Sequence, residues 1–536
     1  MKRNIFTIVL LLAAYAVWGQ SEKDTAAVQV SGNVHIGLLT ELNTDEDLTE
    51  LTYSTPDPRL GTNSGNAYTS KVEDASQNIH ISYGADLDID LHPDHTLSLS
   101  LEGANSNEHA MGSRTESVVD KSGQPLSKVR TMFNHPGERV NELAVGLDYT
   151  YRLRRPGSSL TMGYRYEWEN ESAGVEQERI SAEGWNRFST NMLEQKINYH
   201  THHAHIDYSL PVAKGHLLDF GLAYDRRELT VKTEQDWDDV RVVEADYRHL
   251  MQYGGVHARY RLKMGPVEAM ARLEYRATRM QNRWLHDVLP TATVRYHIDS
   301  IHSLSAFYTI MLIRPDVHHL DTTRISDAYT TRYGNDNIVG VHVHNVALGY
   351  RMHTAKVDGL AEVRYLTASD GFNAIWMERN NQRIYTWGNE GVRHAVGLTL
   401  TADSHLGPTT DLLASANVLW DKRIAEAINL SNANWGVRAN MRLAQVLYNA
   451  EACKVNMVLR GDYSFHNTLD VYSYAGHGGS VGGNLEVAVR GALKMGVGYN
   501  CLFKPDIHII QGAYYGTIHY RPGATHMLSI NLSYQF

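Results

Sequence analysis

The chain ends "MLSINLSYQF", a strict alternation of apolar and polar positions. Leu528, Ile530, Leu532, Tyr534 and Phe536 share one parity; Ser529, Asn531, Ser533 and Gln535 share the other. A period of two predicts a strand with one apolar and one polar face. The pattern recurs far upstream. In "NIHISYGADLDIDL", Ile79, Ile81, Tyr83, Ala85, Leu87, Ile89 and Leu91 alternate with His80, Ser82, Gly84, Asp86, Asp88 and Asp90. That run outlasts most half-buried strands of soluble sheets. It fits a membrane-spanning strand of about 9–11 residues with its rims. "ELAVGLDYTYRL", "LTMGYRYEW", "HLLDFGLAYD", "AVGLTLTA" and "LKMGVGYNCLF" repeat it. Short turns such as "HPDH" and "RRPGSS" alternate with long polar stretches at 105–139, 169–195 and 226–249, which read as loops.

This rhythm predicts an all-β fold: a transmembrane antiparallel β-barrel of about 20 strands, within a range of about 16–22, with short periplasmic turns and long extracellular loops. The count is 20 if 504–525 is one external loop, and 22 if "AYYGTIHY" is half of a further hairpin. An even number returns both ends to the periplasm, and the last strand then closes the barrel with Phe536 at the periplasmic interface. A soluble β-sandwich would have shorter strands and more even loops, and a solenoid would show a fixed-length repeat.

The first residues set the compartment. "MKRNIFTIVLLLAAYAVWGQ" has a basic start, a short apolar core and small residues near Gly19, so residues 1–19 read as a signal peptide. Residues 20–77 form an N-terminal segment containing a candidate first strand, "VQVSGNVHIGL", and a loop; residues 78–536 form the barrel. Beyond the signal peptide no apolar run reaches the roughly 18 residues of a membrane helix, which excludes a helical membrane protein and leaves a barrel open. The expected location is the outer membrane of a Gram-negative bacterium, with outer-membrane lipid as the first partner. The 31 tyrosines and 9 tryptophans suit interfacial girdles. A formal charge of −10 gives no nucleic-acid footprint. Cys453 and Cys501 are expected at opposite rims of the barrel, as free thiols.

Chemistry-bearing residues are few. In "YHTHHAHIDY", His203, His205 and Asp207 share the lumenal parity and could hold Zn, Cu, Fe or haem. The alternative is a polar lumenal face that needs hydrogen-bonding side chains of some kind. His200 and His202 fall on the lipid-facing parity near the outer rim, and His318, His319, His342 and His344 are weaker ligand candidates. Asp86, Asp88 and Asp90 form a lumenal acidic face, suited to a cation-favouring pore or to pairing with Arg165, Arg259, Arg272 or Arg295. No nucleophile elbow, zinc-protease motif or phosphate loop is present, so the chain reads as a non-enzyme without a resident cofactor.

One stretch carries a family likeness. "FYTIMLIRPDVHHLDTTRISDAYTTRYGNDNIVGVHVHNVALGYRM" resembles the barrel half of TonB-dependent receptors from Bacteroidota through Arg314, Pro315, Leu320, Gly334, Asn335, Leu348, Gly349 and Tyr350. Asn389, Gly391, Gly397 and Leu398 extend the likeness, and Phe536 resembles the terminal aromatic that the barrel-insertion machinery reads. The resemblance covers about residues 300–536. Those receptors carry a plug domain, and 20–77 is too short for one of about 100 residues. The resemblance therefore implies a plug-less receptor-like barrel that serves envelope nutrient uptake, alone or with a separate TonB-dependent receptor or surface lipoprotein. A structural or secretion-associated scaffold barrel, closed by its own loops, is the competing expectation.

Overall fold

The computed structural model describes residues 29–53, 67–119, 122–181, 187–281, 283–326, 330–379, 382–426, 429–510, 514–521 and 524–535. The signal-peptide reading and Phe536 fall outside them. The chain first builds a tall wall from β1 (Gln29–Tyr53), β2 (Ala67–His92), β3 (His95–Val119) and β4 (Pro125–Arg152). It continues in β5 (Ser159–Ser181), β6 (Arg187–Ala213), β7 (His216–Trp237) and β8 (Val240–Met264). A low sector follows: β9 (Val267–Met280), β10 (Arg283–His297) and β11 (His302–Ile313). The next connection carries α1 (Val317–Leu320), β12 (Ile325–Ser326) and β13 (Thr330–Arg332). After it come β14 (Val341–His353), β15 (Val357–Arg379), β16 (Gln382–Gly407), β17 (Thr410–Ala425) and β18 (Leu430–Ala450). A second low sector contains β19 (Cys453–Phe465), β20 (Asn467–Thr468), β21 (Ser473–Ala475), β22 (Gly478–Val489) and β23 (Leu493–Phe503). It ends with β24 (Ile507–Ile509), β25 (Tyr514–Arg521) and β26 (Ala524–Gln535).

Twenty of these strands form one closed antiparallel cylinder, β1–β11, β14–β19, β22, β23 and β26. β26 closes it on β1, with Val34 opposite Tyr534 and Leu38 opposite Ile530. Two corrections to the sequence reading follow. The wall begins at Gln29 rather than at residue 78, since β1 pairs with β2 along its whole length. The stretches 105–139, 169–195 and 226–249 are largely strand: β3–β4, β5–β6 and β7–β8 continue as paired hairpins far above the apolar belt. "AYYGTIHY" does hold a strand, β25, but it pairs with the top of β1 and adds nothing to the membrane-spanning count.

The belt itself follows the alternation. Ile79, Ile81, Val145, Leu147, Leu222, Leu398 and Leu528 are exposed on the outside. Every connection at the end that carries the turns after β2, β6, β8 and β18 is short, from two to six residues, whereas the other end carries 314–340; the uniformly short end is the periplasmic one. Cys453 lies beside one of these turns and Cys501 near the outer end of β23; both are free.

Tyrosine and histidine border the belt in a repeated arrangement. On the outer side, Tyr164–His202, Tyr166–His200 and Tyr275–His286 hydrogen-bond at 2.7, 2.9 and 2.7 Å. Tyr308–His344, Tyr365–His394, Tyr463–His477 and Tyr499–His526 do so at 3.2, 3.0, 2.5 and 2.7 Å. On the periplasmic side, His95–Tyr149, His216–Tyr260 and His302–Tyr350 are bonded at 2.5, 2.5 and 2.7 Å.

Candidate functional site: a polar lumen and the loop across its mouth

Lumenal parity on β4–β8 assembles a ladder of acids and imidazoles. His205 Nε2 lies 3.5 Å from Asp148 Oδ1 and 3.9 Å from Asp207 Oδ2, and His257 Nε2 lies 3.4 Å from Asp207 Oδ1. Within this β4–β8 ladder, the two imidazole–carboxylate contacts that cross a strand pass over a glycine. A Cβ at Gly163 would stand 2.0 Å from Asp148 Oδ1 and 2.2 Å from His205 Cε1; one at Gly221 would stand 2.2 Å from His257 Cε1 and 2.3 Å from Asp207 Oδ1. The sequence therefore leaves out side chains where the ladder has to close.

His203, His205 and Asp207 do share one face, but they do not converge. His203 Nδ1 bonds Asp225 Oδ1 at 2.5 Å, away from His205. The His203 and His205 rings lie 5.6 Å apart between centroids, yet they turn to different carboxylates, His203 to Asp225 and His205 to Asp148 and Asp207. Among the described residues no group of three or more His, Cys, Asp or Glu is placed to hold a metal ion. His342 Nε2 instead meets Asp287 at 2.9 Å, His319 pairs with Asp316, and His344 belongs to the outer Tyr–His series.

The acidic face has partners other than the expected arginines. Ser98 donates to Asp88 at 2.5 Å and Thr96 to Asp90 at 2.7 Å, both from β3. Arg165 binds Glu102 and Glu167 at 2.7 Å each, Arg259 binds Asp219 at 2.9 Å, and Arg272 binds Glu274 at 2.9 Å. Arg295 lies in the field of Glu268. Asp88 and Asp90 thus take hydroxyl partners from β3 in place of guanidinium groups. Higher up, Glu102, Glu142, Arg165, Glu167, Glu169 and Arg227 line a cavity of about 590 Å³ in the lumenal wall. Its mixed charges suit a polar solute.

The connection 314–340 crosses the outer mouth. Arg314 donates to Asp287 at 2.5 Å and to Thr278 at 3.0 Å, and Asp287 is only 4% exposed. Pro315 has no N–H to continue the β11 ladder, so the chain turns inward there. Val317 then packs on Ile197, Leu229 and Val231, on the inner face of β6 and β7, with Tyr199 and Tyr247 at the edge. Burial there, with Asp321 and Asp336 nearby, pushes the Tyr247 phenol up to about 12. Gln235 of β7 ties the loop further by donating to Ser326 O at 2.7 Å.

The far end docks on β15 and β16. Asn335 donates to Trp387 O at 2.9 Å, and Val339 N–H donates to Asn389 Oδ1 at 2.7 Å. Asn389 Nδ2 donates to Asp370 O at 2.6 Å and to Val339 O at 3.2 Å. Gly334 lies against the backbone of Leu320 and Asp321, where a Cβ would come within 2.7 Å; Gly391 meets Gly371 O in the same way at 2.9 Å. The His319 ring lies tilted beside Trp387 at 4.3 Å between ring centroids. Burial raises the Asp316 carboxyl, but hydrogen bonds and charge from His319 outweigh it and hold it below the usual carboxylate range. Arg314, Pro315, Gly334, Asn335, Asn389 and Gly391 thus meet in one place: they fold this loop and fasten it. Their partners Asp287, Thr278 and Gln235 carry no local signal in the sequence.

Comparison with known proteins agrees with the architecture. No curated protein matches the chain. Among solved structures, FpvA of P. aeruginosa bound to a pyoverdine–iron complex is similar at 11% identity and TM-score 0.57, over 95% of this chain and 72% of that one. BauA, the ferric preacinetobactin receptor from Acinetobacter baumannii, is similar at 8% identity and TM-score 0.57, over 95% and 80%. The copper transporter OprC is similar at 12% identity and TM-score 0.53, over 96% and 82%. At these identities the likeness is one of fold, and it is the receptor-type barrel fold that the 300–536 stretch resembles. The location is the outer membrane of a Gram-negative bacterium. A family model described as "Outer membrane protein beta-barrel family" matches residues 151–476, more than half of the sequence, and the chain belongs to that family.

Proposed function

We propose that the barrel is a transport component of nutrient uptake across the outer membrane, with the 314–340 loop as its gate. The observation that carries this reading is the loop's attachment. It spans from β6–β8 to β15–β16 over a polar lumen and is fastened largely by side chains, which can let go. Twenty strands lie between the 16–18 that leave an aqueous channel and the 22 that enclose a plug, so wall side chains alone do not fill the interior. The glycine-spaced His–Asp ladder and the charged cavity would offer a polar solute successive contacts, and a weakly bound metal ion is one such solute. A separate TonB-dependent receptor or surface lipoprotein supplies capture or energy in this scheme, and the chain is not an enzyme.

The competing scaffold reading rests on the second low sector. There Val471 and Tyr472 are fully buried against Ala425 and Leu430, which closes the rim by packing. Swelling of proteoliposomes in a series of sugars separates the two. The transport reading expects flux, several-fold higher, when residues 316–338 are replaced by a short glycine linker. A folded barrel that passes no sugar with or without the loop would leave the scaffold reading.

A further inference from the structure

The Tyr–His pairs that border the apolar belt obey one geometric rule. On the outer side each tyrosine sits on an upward strand, and its histidine, two residues before the tyrosine's own cross-strand partner, sits on the next barrel strand down or, for His477, immediately before it. Tyr275 faces Val288 and bonds His286; Tyr365 faces Val396 and bonds His394; Tyr499 faces Leu528 and bonds His526. On the periplasmic side the roles exchange. His216 faces Leu262 and bonds Tyr260, and His302 faces Met352 and bonds Tyr350. The exchange has one consequence at both interfaces. The phenol ring always lies nearer the hydrocarbon and the imidazole nearer the water.

Every bond in both series reaches Nδ1. A phenol at the edge of the hydrocarbon must place its O–H on an acceptor, because an unmade hydrogen bond there is costly. Neutral imidazole has one acceptor and one donor nitrogen, so if Nδ1 accepts, Nε2 keeps its hydrogen. On β7–β8 the same diagonal carries Gln252, whose Nε2 donates to the Tyr224 hydroxyl at 3.3 Å, so a polar partner, here a donor, is kept where histidine is replaced.

We propose that this double ring presents Nε2–H donors to the phosphate oxygens of the surrounding lipid headgroups, and so fixes the barrel's depth in the membrane. The phenol snorkels to the imidazole, and the imidazole passes the hydrogen bond outward to the phosphate. The distribution selects lipid over a protein partner. Among the described residues the outer pairs sit on six of the ten barrel hairpins, β5–β6, β9–β10, β11–β14, β15–β16, β19–β22 and β23–β26, a spread round most of the wall from β5 to β26 that a protein covering one side would not need.

The test is solid-state NMR on the folded barrel with 15N-labelled histidine, in phosphatidylcholine–phosphatidylglycerol vesicles, reading 15N–31P dipolar dephasing. The expected result is protonated Nε2 with 31P dephasing, lost at one site in the difference spectrum of His286→Phe, and absent in vesicles of a phosphate-free galactolipid. Tyr275→Phe keeps the ring and removes only the O–H; it is expected to release His286 from its single tautomer, and it serves if His286→Phe does not insert. A protonated Nδ1 in the wild type, or a protonated Nε2 without 31P dephasing, would overturn the proposal; the latter would mean that water alone takes the bond.

Discussion

The barrel has two low sectors, and it completes them in different ways. Above β19, β22, β23 and β26 the missing wall is rebuilt by backbone pairing. β20 pairs with β21, β21 with β24, β24 with β25, and β25 with the top of β1. Above β9–β11 and β14 the connection leaves the wall and crosses the mouth. Among the described residues its ladders there are the two-residue pairing of β12 with β13 inside the loop and the short parallel pairing of Thr330–Arg332 with residues 383–385 of β16; the rest of its attachment is mostly side-chain anchoring. A ladder spreads its free energy over many repeating bonds and opens as a unit. A few buried side-chain anchors concentrate it, so one change can release the whole segment. The β19–β26 sector is therefore completed as wall, and the β9–β14 sector by a side-chain-fastened loop, as the proposed gate requires.

The comparison can be broken most severely at Asp287. Asp287→Ala leaves the nearly buried Arg314 with Thr278 but without its carboxylate, at a cost of about 3–5 kcal/mol. Hydrogen exchange through 314–340 is expected to rise many-fold, while 466–477 stays protected. Leu320→Ala removes a side chain that is 2% exposed and costs the docked loop about 2–3 kcal/mol. The expected readout is faster proteolysis within 314–340, with the heat-modifiable mobility of the barrel unchanged. Asn389→Ala deletes three bonds to main-chain groups of Val339 and Asp370, a loss of about 1–3 kcal/mol that opens only the β16 end. Protection should then fall at 333–340 and persist around Val317.

The smallest effect is that of pH. Asp316 has a depressed carboxyl pKa in the folded loop. Its contribution is present above the ordinary aspartate value of about 3.9 and is lost as pH falls through the lower folded value. Exchange in the loop should therefore accelerate modestly below about pH 4, and Asp316→Asn should flatten that dependence.

How much of this was legible in the sequence follows from what gives contrast. Leu528–Tyr534 and Ile79–Leu91 alternate against lipid on one face and water on the other, so their strands were readable. Residues such as Lys71, Glu73, Arg226 and Glu228 meet water on the outside above the belt, and much of the inner face is polar there too, so the pattern fades and tall hairpins read as loops. The family landmarks marked the loop but not its inward course, because Asp287 and Gln235 are ordinary polar residues until register places them. The lumenal parity of His203, His205 and Asp207 was legible. Their partners on neighbouring strands were not, since Asp225 and His257 depend on strand pairing. His200 and His202 fall on the lipid-facing parity, but the diagonal that joins them to Tyr166 and Tyr164 exists only once β5 and β6 are in register.

The most direct measurement is single-channel recording of Asp287→Ala beside the wild type, both refolded and inserted in planar bilayers. A side-chain-fastened gate over a polar lumen predicts long, large openings in the variant and brief or smaller ones in the wild type. Indistinguishable traces from two folded barrels, with the loop shown by hydrogen exchange to be released in the variant, would contradict it.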